Sequence, residues 1–143
     1  MFIGQYNHSL DEKGRISVPT KFRSGLTEGC VVTRGLDRSL FLYPMSAWER
    51  LAAKLAALPL GKSDTRAFAR LMLAGAMEAE IDGSGRITIP QYLREYAGLS
   101  KRAVITGLHD RIEIWDEETW NGYRERTEAE GNDIAERLGE QGV

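Results

Sequence analysis

The residues most able to do chemistry in this chain occur in one short pattern that appears twice. Asp11-Glu12-Lys13-Gly14-Arg15-Ile16-Ser17-Val18-Pro19 returns as Asp82-Gly83-Ser84-Gly85-Arg86-Ile87-Thr88-Ile89-Pro90. Each fixed residue of Asp-x-x-Gly-Arg has a use in a sharp turn. Glycine tolerates positive φ where the chain reverses, so Gly14 and Gly85 read as turn-forming. Asp11 and Asp82 can accept backbone N–H groups within that turn or pair with the arginine. Arg15 and Arg86 follow at the tip, and their planar forks can grip a phosphate or the O6/N7 edge of guanine through two hydrogen bonds, which lysine does less well. A single copy would read first as a fold-stabilising ion pair, Asp11 with Arg15 or Asp82 with Arg86. Repetition shifts the reading towards an anionic partner, and double-stranded DNA fits best. Lys13, Lys21 and Arg23 surround the first copy, whereas Arg94 accompanies Ser84 and Gln91 in the second. The first copy is therefore expected to make the stronger DNA contact, although Lys21 and Arg23 also fit a solvated helix face.

No other constellation competes. His8 and His109 are the only histidines and lack metal-ligand spacing. There is no Gly-x-Ser-x-Gly and no phosphate-cradling glycine loop ahead of a helix, so neither an enzyme nor a metal or cofactor site is expected. Cys30 is the single cysteine, and within Cys30-Val31-Val32 it reads as a small core hydrophobe.

Two copies of the pattern need elements to hold them, and the repeat extends well beyond the loop. Phe22-Arg23 answers Leu93-Arg94, and Gly35-Leu36 answers Gly107-Leu108. Leu40-x-Leu42-Tyr43 answers Ile112-x-Ile114-Trp115, and Trp48 answers Trp120. The offset is 71 residues early and 72 late, so one inserted residue explains the drift. The expected organisation is a first module over 5–48, a helical insert over 49–76, a second module over 77–120, and a C-terminal helix with an acidic tail over 121–143.

Within each module Ile16-x-Val18 and Ile87-x-Ile89 alternate apolar with hydroxyl residues, the pattern of a strand with one buried face. Pro19 and Pro90 end these strands and lead into a turn of amphipathic helix, Lys21-Phe22-Arg23 and Tyr92-Leu93-Arg94. Val31-Val32-Thr33 and Val104-Ile105-Thr106 then begin hairpins, with tight turns expected around Gly35 and Gly107. Ser46-Ala47-Trp48-Glu49 has the form of a capping box for a helix carrying Trp48, Leu51, Leu55 and Leu58, stopped by Pro59 and Gly61. Ser63 is expected to cap a second helix through Phe68, Leu71 and Met72 to Gly75, and Asp116 a third bearing Trp120, Tyr123 and Thr127. Beyond Gly131 a frayed acidic end is expected.

Bulk properties agree with a folded protein. The chain has 143 residues, 42% hydrophobic and 28% charged, enough for one globular domain or two small ones sharing a core. No apolar run approaches the ~20 residues of a membrane span, and Met1-Phe2-Ile3-Gly4-Gln5 lacks the features of a signal peptide, so a cytoplasmic protein is expected. The net charge of −2 hides an asymmetry. Residues 1–75 hold eleven Lys/Arg against six Asp/Glu, and residues 76–143 hold eight against fifteen. That distribution can orient the chain on an anionic partner or draw subunits together.

The segment Asp11–Pro19 and its second copy resemble the signature of the AbrB/SpoVT swapped-hairpin family of DNA-binding proteins. Two copies in a chain of this length, a Met-Phe-x-Gly start and a tryptophan after each module are similar to the MraZ family of bacterial regulators. The resemblance implies an α+β fold, a pseudo-two-fold swapped-hairpin β-barrel of two such modules with helices in the insert and at the C-terminus. It also implies a homo-oligomeric ring that is nucleoid-associated and binds short G-rich direct repeats upstream of its own division and cell-wall gene cluster. The family's DNA-contacting arginines map onto Arg15 and Arg23, with Arg86 and Arg94 in the second copy. His8 and Ser24 stand where some AbrB-type proteins have further arginines, so those contacts do not carry over. The rival expectation is an antitoxin-like or protein-interaction module, which the acidic residues after Asp116 would serve.

Overall fold

A computed structural model describes residues 1–142. Alternating apolar residues and punctuating prolines produce short strands here. The first half runs β1 (Phe2–Ser9), β2 (Arg15–Ser17), α1 (Thr20–Arg23), a 3₁₀ turn, β3 (Cys30–Arg34) and β4 (Leu40–Pro44). Then come α2 (Met45–Ala56), α3 (Ser63–Ala69) and a π turn over Arg70–Ala74. The second half repeats the order as β5 (Met77–Ala79), β6 (Arg86–Thr88), α4 (Gln91–Ala97), β7 (Arg102–His109) and β8 (Arg111–Asp116), followed by α5 (Glu117–Ala129) and α6 (Gly131–Arg137).

The fold is α+β. Six strands form one antiparallel sheet in the order β1-β7-β8-β4-β3-β5, and β2 pairs with β6 in a separate ribbon. The halves are stitched together by strand pairing. β1 of the first copy lies along β7 of the second, Phe2 opposite His109 through Ser9 opposite Arg102. β5 of the second lies along β3 of the first, and β4 joins β8 at the centre. One main core fills the space between sheet and ribbon: Ile16, Val18, Phe22, Val32, Leu42, Ile87, Ile89, Leu93, Ile105 and Ile114 are all nearly inaccessible. Such burial stabilises by about 25 cal/mol per Å² of apolar surface. A second cluster joins α2 and the π turn to the outer face of β4 through Phe41, Tyr43, Ala47, Leu55 and Met72. On the matching face of the second half, Trp115 packs edge-on against Trp120 with ring centres 5.3 Å apart. Tyr43 meets Trp48 in the corresponding place at 6.0 Å, which accounts for a tryptophan after each copy.

Several local expectations change. The helix carrying Trp48 begins at Met45 with Pro44 at the cap position and no side-chain cap bond, so Ser46 lies inside it. Proline at the cap fixes φ and leads β4 directly into the helix. Ser63 is likewise the first helical residue of α3 rather than its cap. Asp116 does cap α5, accepting the Glu118 N–H. The second hairpin turns at His109-Asp110, since Leu108 pairs with Arg111, and Gly107 sits within β7. A Cβ at Gly107 would stand 2.5 Å from the Ile3 nitrogen, so this glycine allows β1 to approach closely instead of turning the chain. The end of the chain is helical over Gly131–Arg137 rather than frayed, although none of that helix is buried. Among the described residues no helix is long and apolar enough to cross a membrane.

Candidate nucleic-acid interface

The two Asp-x-x-Gly-Arg segments are turns of the same construction. In the first, the Gly14 N–H donates to the Asp11 carbonyl at 3.0 Å, and Asp11 Oδ1 accepts from the Lys13 and Arg15 N–H groups at 2.9 and 2.8 Å. In the second, the Gly85 N–H donates to the Asp82 carbonyl at 3.0 Å, and Asp82 Oδ1 accepts from Ser84 and Arg86 at 2.8 and 3.0 Å. Hydrogen bonds to the charged form favour it. The Arg15 N–H foremost, with its guanidinium, holds the Asp11 carboxyl below its ordinary range, and the Arg86 N–H does the same for Asp82. Gly14 and Gly85 both adopt φ of +79°.

The ribbon brings the turns together. Ile16 faces Ile87, with Arg15 opposite Thr88 and Ser17 opposite Arg86. Because side chains alternate along a strand, burying Ile16 and Ile87 at 1% exposure puts Arg15, Ser17, Arg86 and Thr88 on the outer face. Arg15 Nε donates to Asp11 Oδ2 at 2.6 Å. Arg86 Nε lies 3.3 Å from Asp82 Oδ2, close enough for an ion pair but without the alignment of a hydrogen bond, which leaves that buried N–H without a hydrogen-bond acceptor. Arg86 Nη1 also reaches to 3.7 Å from Asp11 Oδ2. One carboxylate thus sits between the two repeated arginines. Both side chains stay about one-third exposed, and among the described residues the Nη atoms of Arg15 have no hydrogen-bond or ion-pair partner.

The halves also clasp one another reciprocally. The Val18 N–H donates to the Gly85 carbonyl at 2.9 Å, and the Ile89 N–H to the Gly14 carbonyl at 2.8 Å. Arg23 Nε donates to the Val18 carbonyl at 2.9 Å and lays its guanidinium over Gly85. Arg94 Nη1 donates to the Ile89 carbonyl and covers Gly14. Of the residues singled out in the sequence, then, Arg15 and Arg86 share one outward face, and Lys13 and Lys21 are exposed beside the first turn and on α1. Arg23 and Arg94 fold back onto the opposite copy's turn, a positioning role that the spacing of the motif did not reveal. Nor did the sequence single out the loop ahead of β7, whose Lys101 carbonyl accepts from the Leu10 N–H at 2.8 Å, immediately before the first turn. A half-buried ion pair was equally hidden. Glu113 Oε2 accepts from Arg111 at 3.0 Å, and Oε1 from the Trp115 indole at 3.1 Å.

This arrangement can offer two forked cations side by side to a polyanion. Comparison with known proteins covers nearly all of the chain. The family model described as "MraZ protein, putative antitoxin-like" matches twice, over residues 1–71 and 72–140. A relative named transcriptional regulator MraZ, from Natranaerobius thermophilus, is 51% identical over 138 residues, covering 96% of each chain. With both copies of the repeat matched and half of the aligned residues identical, the chain belongs to the MraZ family.

Proposed function

We propose that this chain is a DNA-binding transcriptional regulator that reads short direct repeats upstream of its own division and cell-wall gene cluster. The observation that carries the reading is the β2–β6 pairing, which sets Arg15 and Arg86 on one outward face. Arg15 and Arg86 are the base- or phosphate-gripping residues, Lys13 and Lys21 add phosphate contacts, and Arg23 and Arg94 support the turns and reach the backbone from their flanks. Asp11, Gly14, Asp82 and Gly85 shape the turns. The name of the Natranaerobius relative supports the regulatory role.

The same reading takes the chain as two AbrB/SpoVT-like modules, 5–48 and 77–120, whose hairpins intertwine into a barrel. Pairing of β1 with β7 and of β5 with β3 supports it. It also takes the protein as a cytoplasmic, nucleoid-associated homo-oligomer, a ring in which several subunits engage successive repeats and gain avidity through effective concentration. An antitoxin-like role is the second reading, favoured by the wording of the family description.

Gel shifts of wild type and Arg15→Ala on the duplex upstream of the gene separate the two. Loss of a forked contact costs roughly 1–3 kcal/mol per site, so operator binding should collapse in Arg15→Ala while melting and assembly size stay unchanged. Wild-type affinity in a folded Arg15→Ala protein would overturn the regulatory reading, and absence of salt-sensitive heparin retention in the wild type would favour the protein-interaction one.

A further inference from the structure

We infer that Lys101, a residue of the second half, belongs to the phosphate-binding surface of the first Asp-x-x-Gly-Arg turn, so that the two turns engage DNA unequally. The inference rests on the DNA-binding reading above and extends it to a residue outside the motif.

Three contacts place Lys101. Its carbonyl accepts from the Leu10 N–H at 2.8 Å. Leu10 itself bridges to Ile16, and Ser9 pairs with Arg102. Lys101 therefore lies against the chain that enters the first turn, with Leu10 between it and the strand that leaves. The loop is held rigidly. Asp116 is 8% exposed, and its Oδ1 accepts the Ser100 N–H at 3.2 Å and the Ser100 hydroxyl at 3.1 Å. Lys101 is exposed and has no ion-pair partner among the described residues, whereas its neighbour Arg102 is engaged by Glu117 at 3.1 Å. Lys101 thus adds an exposed cation where the chain leads into the turn that carries Lys13 and Arg15.

The second turn has the opposite surroundings. At the late offset of the repeat, Lys101 corresponds to Gly29, preceded by Glu28. A cleft there is lined by Arg23, Glu28, Gly29, Glu80 and Ile81, and Ser84 stands where the first turn has Lys13. The cations Lys101 and Lys13 thus have the neutral counterparts Gly29 and Ser84, while Glu28 and Glu80 line the cleft beside the second turn, and like charge next to a phosphate backbone opposes binding. The first turn is the one anchored on phosphate.

Counterion release makes this measurable, because each phosphate contact contributes about 0.9 to the slope of log K against log salt concentration. Binding of the full-length protein is measured from low to moderate salt, on the duplex upstream of its gene and on an unrelated duplex of equal length. Lys101→Ala should lower the slope by about one and weaken binding roughly five- to tenfold at 0.1 M salt, equally on both duplexes, since a phosphate contact carries no sequence information. Lys101→Arg should keep the parent slope, and Glu28→Lys should raise it. Arg15→Ala is run alongside. If Arg15→Ala loses operator binding while Lys101→Ala keeps the parent slope, the inference is wrong and the DNA-binding reading stands. If neither changes binding, both fail. A loss in Lys101→Ala confined to the operator would also overturn the assignment, since it would mean base readout.

Discussion

Gly14 and Gly85 have the same φ of +79°, yet replacing them with alanine should have unequal costs. A side chain in the left-handed region costs roughly 1–2 kcal/mol at either position. The surroundings then differ. At Gly85 the three atoms nearest the new Cβ all belong to the Arg23 guanidinium, with Nη1 and Nη2 at 2.5 and 2.6 Å, and a flexible side-chain end can swing away. At Gly14 it would meet Arg94 and also the Ile89 carbonyl oxygen at 2.7 Å. That oxygen belongs to the backbone whose N–H donates to the Gly14 carbonyl, so relieving the contact strains the clasp between the halves. A lost hydrogen bond adds about 0.5–1.5 kcal/mol. Gly14→Ala should therefore cost about 1.5–3.5 kcal/mol and Gly85→Ala about 1–2 kcal/mol, measured by urea unfolding at equal protein concentration. Arg23→Ala introduced with Gly85→Ala should leave little beyond the φ penalty, whereas Arg94→Ala should not rescue Gly14→Ala, because the carbonyl remains. Equal losses, or rescue by Arg94→Ala, would refute the reasoning.

Three further outcomes are expected. Ile16→Ala removes a side chain 1% exposed at the centre of the ribbon and should cost about 2–5 kcal/mol in denaturant unfolding; the exposed Ile3 changed in the same way should cost under about 1 kcal/mol. Backbone N–H bonds depress the Asp11 and Asp82 carboxyls when folded, so their contribution is complete above the unfolded-state value near ~3.9 and is lost as pH falls through the folded values. Thermal melts from neutral to strongly acidic pH should show stability falling in that window, and the Asp11→Asn, Asp82→Asn double variant should show a shallower fall. Burial, with Glu80 adding to it, pushes the Cys30 thiol up to about 11, so an aromatic disulfide reagent at mildly alkaline pH should label it only on unfolding; rapid labelling of the native protein would show that β3 opens readily.

The sequence by itself determined the repeat, the chemistry of its loop and the conformation of that loop. Asp-x-x-Gly-Arg is a local device. The aspartate reaches N–H groups two and four residues on, and the glycine supplies positive φ, so Asp11–Arg15 and Asp82–Arg86 fold as their residues dictate wherever they are placed. The inward direction of Ile16, Ile87 and their neighbours followed from a period of two for the same reason. Helix starts were less legible, because a serine near a helix start is a cap only if the preceding backbone allows it. Pro44 carries β4 straight into α2 and leaves Ser46 inside.

Long-range matters were decided by the tertiary structure alone. Nothing in the spacing said that β2 would pair with β6 rather than within its own half, or that Arg23 and Arg94 would each cover the glycine of the other copy. Those outcomes come from closing a shared core, in which neither half can bury its apolar faces alone. The same packing joins the Lys101 backbone to Leu10 across 91 residues of chain, and such proximity leaves no periodic trace, because it depends on which strands meet and not on the residues of any one of them.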